Sequence, residues 1–287
     1  MSDIPANTRP LTGHKPRLVA PAGAIDAHFH LYPPGFPQQP GGPPIAETAS
    51  VEDYRQLQRW LGLERVVLVQ ANAHQLDPGA LLESLGKFGP AVARGVAAVG
   101  PDTDRPTLDR LHAAGVRGAR IMELPGGAVK IAQLKAVEAL IRPYGWSLIV
   151  QCNGQELEQH LPVLDSIEIP FVIDHIGKFI PPVPADDRRV DAILRQLDRD
   201  HVYVKLAGIY ETSLIGAPHY DDVAAIVRRL IAHAPDRVIW GSNWPHVGVP
   251  RSAYPNDADL FDLLADWADP ATIQRILVDT PAQLYDF

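Results

Sequence analysis

Residues 25–32 read IDAHFHLY, an apolar run carrying an aspartate and then two histidines with one residue between them. On a β-strand, residues i and i+2 point to the same face. Asp26, His28 and His30 are therefore expected to line up, with the two imidazoles converging at the end of the strand. Such a pair suits a zinc ion, whose common nitrogen ligand is histidine, and it equally suits proton transfer near neutral pH. Two ligands do not make a metal site. The other strands must supply or deny the rest.

Those strands are visible as short β-branched runs: AIDAHFH (24–30), VVLVQANAH (66–74), ARGVAAVG (93–100), GARIMEL (118–124), WSLIVQCNG (146–154), FVIDHIGK (171–178), VYVKLAGIYE (202–211) and VIWGSNWPH (238–246). Between them lie stretches such as VEDYRQLQRWLGL, IAQLKAVEALIRPYG and YDDVAAIVRRLIAHAP, whose apolar residues recur at helical spacing. Alternating β and α patterns imply a parallel sheet, and eight such units fill about the length of a (β/α)8 TIM barrel. An open doubly wound sheet is the alternative, but no G-x-G-x-x-G follows the first strand, so a dinucleotide-binding fold lacks support. The expected organisation is an N-terminal arm over 1–22 and a single barrel domain over 23–287, with an extra C-terminal helix. A proline- and glycine-rich loop, PPGFPQQPGGPPIAE (33–47), follows the first strand, where such barrels place function.

The 287 residues are 46% hydrophobic, enough for one large core or two modest ones. A net charge of −8 argues against a nucleic-acid surface. The single cysteine, Cys152, excludes an internal disulfide and fits a reducing cytosol; alternation along its strand turns it toward the helices. The opening residues lack the apolar core of a secretory signal, and no stretch is long and apolar enough for a membrane span. A cytoplasmic location is the expectation, with no membrane or nucleic-acid partner; oligomeric state is left open.

In a barrel, chemistry sits at the C-terminal ends of the strands. Here those ends carry His28 and His30, then Gln70, Asn72 and His74 at alternate positions, Arg120, Gln151 and Asn153, His175 and Lys178, Lys205, Tyr210 and Glu211, and finally Asn243 with His246. Each has an ordinary structural reading. His74 suits a surface or core histidine, Arg120 a pair with a helix carboxylate, Lys205 a packed stem, and Tyr210 loop packing. Their grouping at one rim is what singles the set out.

The H-x-H of strand 1, the histidine within IDHIGK and the run GSNWPH resemble the amidohydrolase superfamily, in its branch of lactone-processing enzymes. The stretches YPPGFPQQPGGP, EDYRQLQRWLG, QANAHQ and GARIMELPGGAV extend that resemblance over nearly the whole chain. Metal-dependent members typically add a strand-5 histidine and a strand-8 aspartate. Here strand 5 reads LIVQCNG, and Asn243 stands where the aspartate would be. The resemblance thus implies a metal-free site; the alternative is one divalent ion such as zinc on His28, His30 and His175. The implied reaction interconverts the 1,5- and 1,4-lactones of a galactaric-type aldaric acid by intramolecular acyl transfer. A lactone hydrolase is the alternative, and a non-catalytic sugar-acid binding barrel the second. His175, or alternatively His30, is expected as general base, with His28 and His30 polarising the lactone carbonyl and Asn243 holding the lactone. Arg120 is expected to pair with the free carboxylate. Gln70, Asn72, Gln151 and Asn153 would read hydroxyls, with His74, Lys205, Tyr210 and His246 completing the substrate contacts.

Overall fold

The computed structural model describes residue 11 and residues 14–287. Of the expected N-terminal arm, residues 1–10, 12 and 13 lie outside the described residues. What is described of it runs along the last long helix, where Arg17 pairs with Asp262 at 3.1 Å and the Leu18 amide donates to the same carboxylate.

Eight parallel strands run in sequential order: β1 (Ile25–Phe29), β2 (Arg65–Val69), β3 (Ala93–Ala97), β4 (Val116–Met122), β5 (Ser147–Gln151), β6 (Phe171–Ile173), β7 (Val202–Leu206) and β8 (Val238–Trp240). The helices between them are α1 (Val51–Leu61), α2 (Gly79–Phe88), α3 (Arg105–Ala113), α4 (Leu134–Ile141), α5 (Leu157–Asp165), α6 (Arg188–Leu197), α7 (Asp221–His233) and α8 (Asp257–Trp267). This is a (β/α)8 TIM barrel. Helix ends carry the chemistry expected of them. Ser50 and Asp53 form a reciprocal capping box on α1, and Asn256 accepts from two amides of α8.

Closure between β8 and β1 is made just beyond the strand ends. The Asn243 amide donates to His28 O at 2.8 Å, and the His30 amide to Trp244 O at 2.8 Å. Gly241 allows that approach: a Cβ there would lie 2.4 Å from His28 Cβ. Next to it, Asp26 accepts four hydrogen bonds, from the amides of His28 and Ser242 and from the hydroxyls of Ser242 and Tyr54. Asp26 therefore points toward α1, away from the histidines. A bulge between Asp26 and Phe29 breaks the strict alternation that would have put all three on one face.

Inside the barrel, Val67, Val69, Val96, Ile149, Val172 and Ile239 form an apolar layer. Its floor comes from the expected C-terminal helix, which begins as α9 (Pro270–Gln274), widens over Arg275–Asp279 and ends as α10 (Thr280–Tyr285). Fully buried Tyr285 joins the inner layer. Below it, the Arg65 and Arg94 guanidiniums lie over the Phe287 ring, and Arg117 pairs with Asp286 at 3.1 Å. Replacing Tyr285 by Ala is expected to cost about 3 kcal/mol of stability or more in denaturant melts, by emptying the floor of the barrel. Turnover of the folded protein should be unchanged, because the polar ends lie at the opposite mouth.

Candidate active site

Above the apolar layer, inward alternation brings Tyr203 and then Lys205 on β7, and Val172 on β6 and then Asp174 just past its end. Lys205 and Asp174 are buried, with Nζ 3.4 Å from Asp174 Oδ1. His28 Nδ1 lies 3.0 Å from Lys205 Nζ and 3.5 Å from Asp174 Oδ1. His28 Nε2 lies 3.1 Å from His30 Nε2, and His30 Nδ1 lies 2.8 Å from Val69 O. The imidazoles do converge, as the H-x-H spacing implied.

These partners fix the protons. A carbonyl only accepts, so His30 carries its hydrogen on Nδ1 and offers Nε2 as acceptor. His28 must then donate from Nε2 and accept at Nδ1, which an ammonium, only a donor, satisfies. The order runs Lys205 to His28 to His30 to Val69 O. Burial keeps both rings uncharged: it drives His30 down to about 3 and His28 well below its ordinary value. For Asp174, burial alone would raise the carboxyl, but His175, Lys205 and His28 hold it well below the usual carboxylate range.

His175 sits differently. Its Nδ1 is 3.2 Å from Ala207 O and 3.8 Å from Glu211 Oε2, and its Nε2 is 3.4 Å from Asp174 Oδ2. Both nitrogens face acceptors, so the ring gains partners by taking up a proton. Burial lowers its pKa, while Asp174 and Glu211 oppose that shift. Glu211, on the turn Ile209–Glu211, is also paired with Lys178. Gly208 lets this group close up: a Cβ there would lie 2.6 Å from Glu211 Oε2 and 2.7 Å from His175 Nδ1.

Asn243 belongs to a second chain of contacts. Its Nδ2 donates to Tyr210 Oη at 2.7 Å; Tyr210 Oη lies 2.6 Å from His246 Nδ1, and His246 Nε2 lies 2.8 Å from Asp257 at the start of α8. Glu211 also faces this amide. With its N–H groups turned to Tyr210 and Glu211, Asn243 keeps Oδ1 as its acceptor. His175, Asn243 and His246 all hold positive φ, a left-handed backbone that costs energy outside glycine.

Arg120 is buried at the inner end of β4. It donates to Gln151 Oε1 at 2.9 Å and to Gln70 O at 3.3 Å, and its Nε has no partner. Among the described residues no carboxylate pairs with it, so the helix-carboxylate reading fails. Asn72 meets Met122 Sδ beside it.

Other expected residues stand apart. Strand β2 ends at Val69, and Asn72–His74 form a short 3-10 turn, so alternation does not carry Gln70, Asn72 and His74 to one face. The Gln70 amide is spent on Ala98 N, Gln75 O and Asp77 O. His74 lies beside Tyr32, at 5.9 Å between ring centroids, where the loop after β1 docks through Gln39 N to Ala73 O. Asn153 accepts from the amides of Gln155 and Ile180 and donates to Ile180 O, tying two loops together. Conversely, Asp174 is a site residue that the sequence reading passed over. It directly precedes His175 and stands two residues from inward-facing Val172, which is the signal that would have found it.

His28, Asp174 and His175 could hold a metal, their donor atoms lying within 4.8 Å of one another. Asp174 takes the place expected for His30, so a carboxylate is present after all. The lone pair of His28 Nδ1, however, already accepts from Lys205. With that ammonium in place, the donor set does not fit a resident cation.

The sequence profile of the amidohydrolase family, described as "Amidohydrolase", matches residues 25–287. The chain belongs to the amidohydrolase family. Within it, the chain is 43% identical to D-galactarolactone isomerase of Agrobacterium fabrum, covering 96% of both proteins. It is 32% identical to a 2-pyrone-4,6-dicarboxylate hydrolase of Comamonas testosteroni, covering 94% of this chain and 92% of that protein. An apo crystal structure of an Agrobacterium tumefaciens protein superposes with a TM-score of 0.88 at 42% identity, covering 95% of this chain and 98% of that one.

The proton order can be checked by nitrogen NMR of the histidine rings. His28 should be protonated on Nε2 and His30 on Nδ1, and neither should titrate between about pH 5 and pH 8. An imidazolium signal from either ring in that window would overturn the assignment. These rings are uncharged when folded but take up protons near pH 6.5 when unfolded, so stability should fall as pH drops below about 6.5.

Proposed function

We propose that this amidohydrolase is a lactone isomerase that interconverts the 1,5- and 1,4-lactones of a galactaric-type aldaric acid without a metal ion. The observation that carries the reading is Arg120: a buried guanidinium at the barrel mouth with no carboxylate partner among the described residues. Such a group calls for an anion, and its planar fork matches the free carboxylate of an aldarolactone. Similarity to an isomerase over 96% of the chain supports the substrate class.

The chemistry needs one proton moved and one oxyanion held. His175 takes the proton of the attacking substrate hydroxyl, and the imidazolium so formed is stabilised by Asp174 and Glu211. The hydroxyl oxygen bonds to the lactone carbonyl carbon, and His28 turns its Nε2–H from His30 Nε2 to the resulting oxyanion, with Lys205 behind it. The bond from that carbon to the original ring oxygen then breaks, and His175 returns its proton to that oxygen. His30 is the poorer base because its one lone pair faces His28 Nε2. Nucleophile and electrophile belong to one molecule, so positioning by Arg120 and Asn243 supplies much of the acceleration.

A second reading, lactone hydrolysis, is favoured by one feature. Glu211 is a part-exposed carboxylate 3.8 Å from His175, placed to accept a proton from water. Turnover in ¹⁸O-labelled water separates the two readings: isomerisation leaves the product unlabelled, whereas hydrolysis puts label into a new carboxylate.

Arg120→Met should lower kcat/KM on aldarolactones by roughly 10²-fold or more, and Arg120→Lys should not restore it, because a lone ammonium cannot make the forked contact. Asn243→Asp should add hydrolysis, read as label in the ring-opened acid; no label would count against the amide's role. The acid limb of the kcat/KM profile should lie below pH 6.5, since burial lowers His175 and the base works unprotonated.

A further inference from the structure

The geometry points to Lys205 as the resident cation of the His28–Asp174–His175 cluster: its ammonium stands in for a divalent ion, and removing it turns the cluster into a zinc site. The inference rests on the donor geometry and shares with the lactone reading only its metal-free site; the substrate and the reaction are tested separately, by turnover in ¹⁸O-labelled water.

The donors lie within 4.8 Å of one another, and each histidine is near metal spacing from one of the two Asp174 oxygens. His28 Nδ1 to Asp174 Oδ1 is 3.5 Å, and His175 Nε2 to Asp174 Oδ2 is 3.4 Å. Tetrahedral zinc with bonds of about 2.0–2.1 Å sets neighbouring ligands roughly 3.3–3.4 Å apart. All three side chains are buried. Neither Asp174 oxygen has a hydrogen-bond partner at ordinary length, so the carboxylate is balanced by charge rather than by donors. A buried carboxylate left in that state needs a cation beside it.

Lys205 supplies that cation. Its stem is wholly buried on β7, and its Nζ stands 3.0 Å from His28 Nδ1 and 3.4 Å from Asp174 Oδ1. A zinc ion bonded to those two atoms needs the lone pair that His28 now gives to Lys205. It would also sit within about 4 Å of the ammonium, where like charges in a buried site repel strongly. Removing the ammonium frees the lone pair and leaves Asp174 without its counter-charge, and both changes favour zinc.

The test uses the full chain as wild type, as Lys205→Ala, and as Lys205→Ala combined with His175→Ala. Each is dialysed against zinc, assayed for bound metal, and melted with and without zinc; cobalt(II) uptake gives the coordination geometry from its visible absorption. The expected result is no bound zinc in the wild type, one per chain in Lys205→Ala with a tetrahedral cobalt spectrum and a melting point raised by zinc, and loss of both effects in the double variant. If Lys205→Ala does not refold, Lys205→Met, which keeps the length of the stem without the charge, is read in the same way. Stoichiometric zinc in the wild type that is lost on His28→Ala would overturn the inference. So would a folded Lys205 variant that takes up no more zinc than the wild type.

Discussion

The ion pair between Lys205 and Asp174 sets the terms for the rest of the site. Two opposite charges buried at the mouth of an apolar barrel are costly, and they persist only where geometry and neighbours compensate. Here the compensation is shared. The ammonium also donates to His28, and the carboxylate faces both His28 and His175. Because lysine can only donate and the Val69 carbonyl can only accept, the two ends dictate the tautomers of the rings between them. The contact from Lys205 on β7 to His28, together with the Val69 carbonyl at the end of β2, thus sets the proton positions on His28 and His30.

A second network anchors the opposite side of the mouth. Asp257 begins α8, where a negative charge is favoured by the helix dipole, and it holds His246; His246 meets Tyr210, and Tyr210 receives Asn243. The two networks meet where Glu211 lies between His175 and Asn243. One therefore fixes the charges and proton positions of the histidine cluster, while the other orients the Asn243 side-chain amide.

Much of this was legible from residue order. The β-branched runs mark where strands begin, since each must bury both faces between the barrel interior and the helices. His28, His30, His175, Arg120 and Asn243 fall at the ends where chemistry was expected. The ends themselves were harder to read. Strands β2, β6 and β7 stop earlier than their apolar runs suggest and continue as tight turns, which cancels the alternation rule for Gln70, Asn72 and His74. The same effect hid Asp174, the last inward-facing residue before the left-handed turn at His175. On β1, a bulge sent Asp26 outward to Tyr54, a register change that hydrophobic pattern does not encode.

The left-handed backbone at His175, Asn243 and His246 has a wider consequence. Each of these residues adopts a conformation that glycine would hold with less strain, so the fold would be relieved by losing the very side chains that define its mouth. Selection for stability alone would therefore erode this site, and selection for turnover would keep it strained. The robust barrel beneath is what lets the chain carry that opposition within one domain.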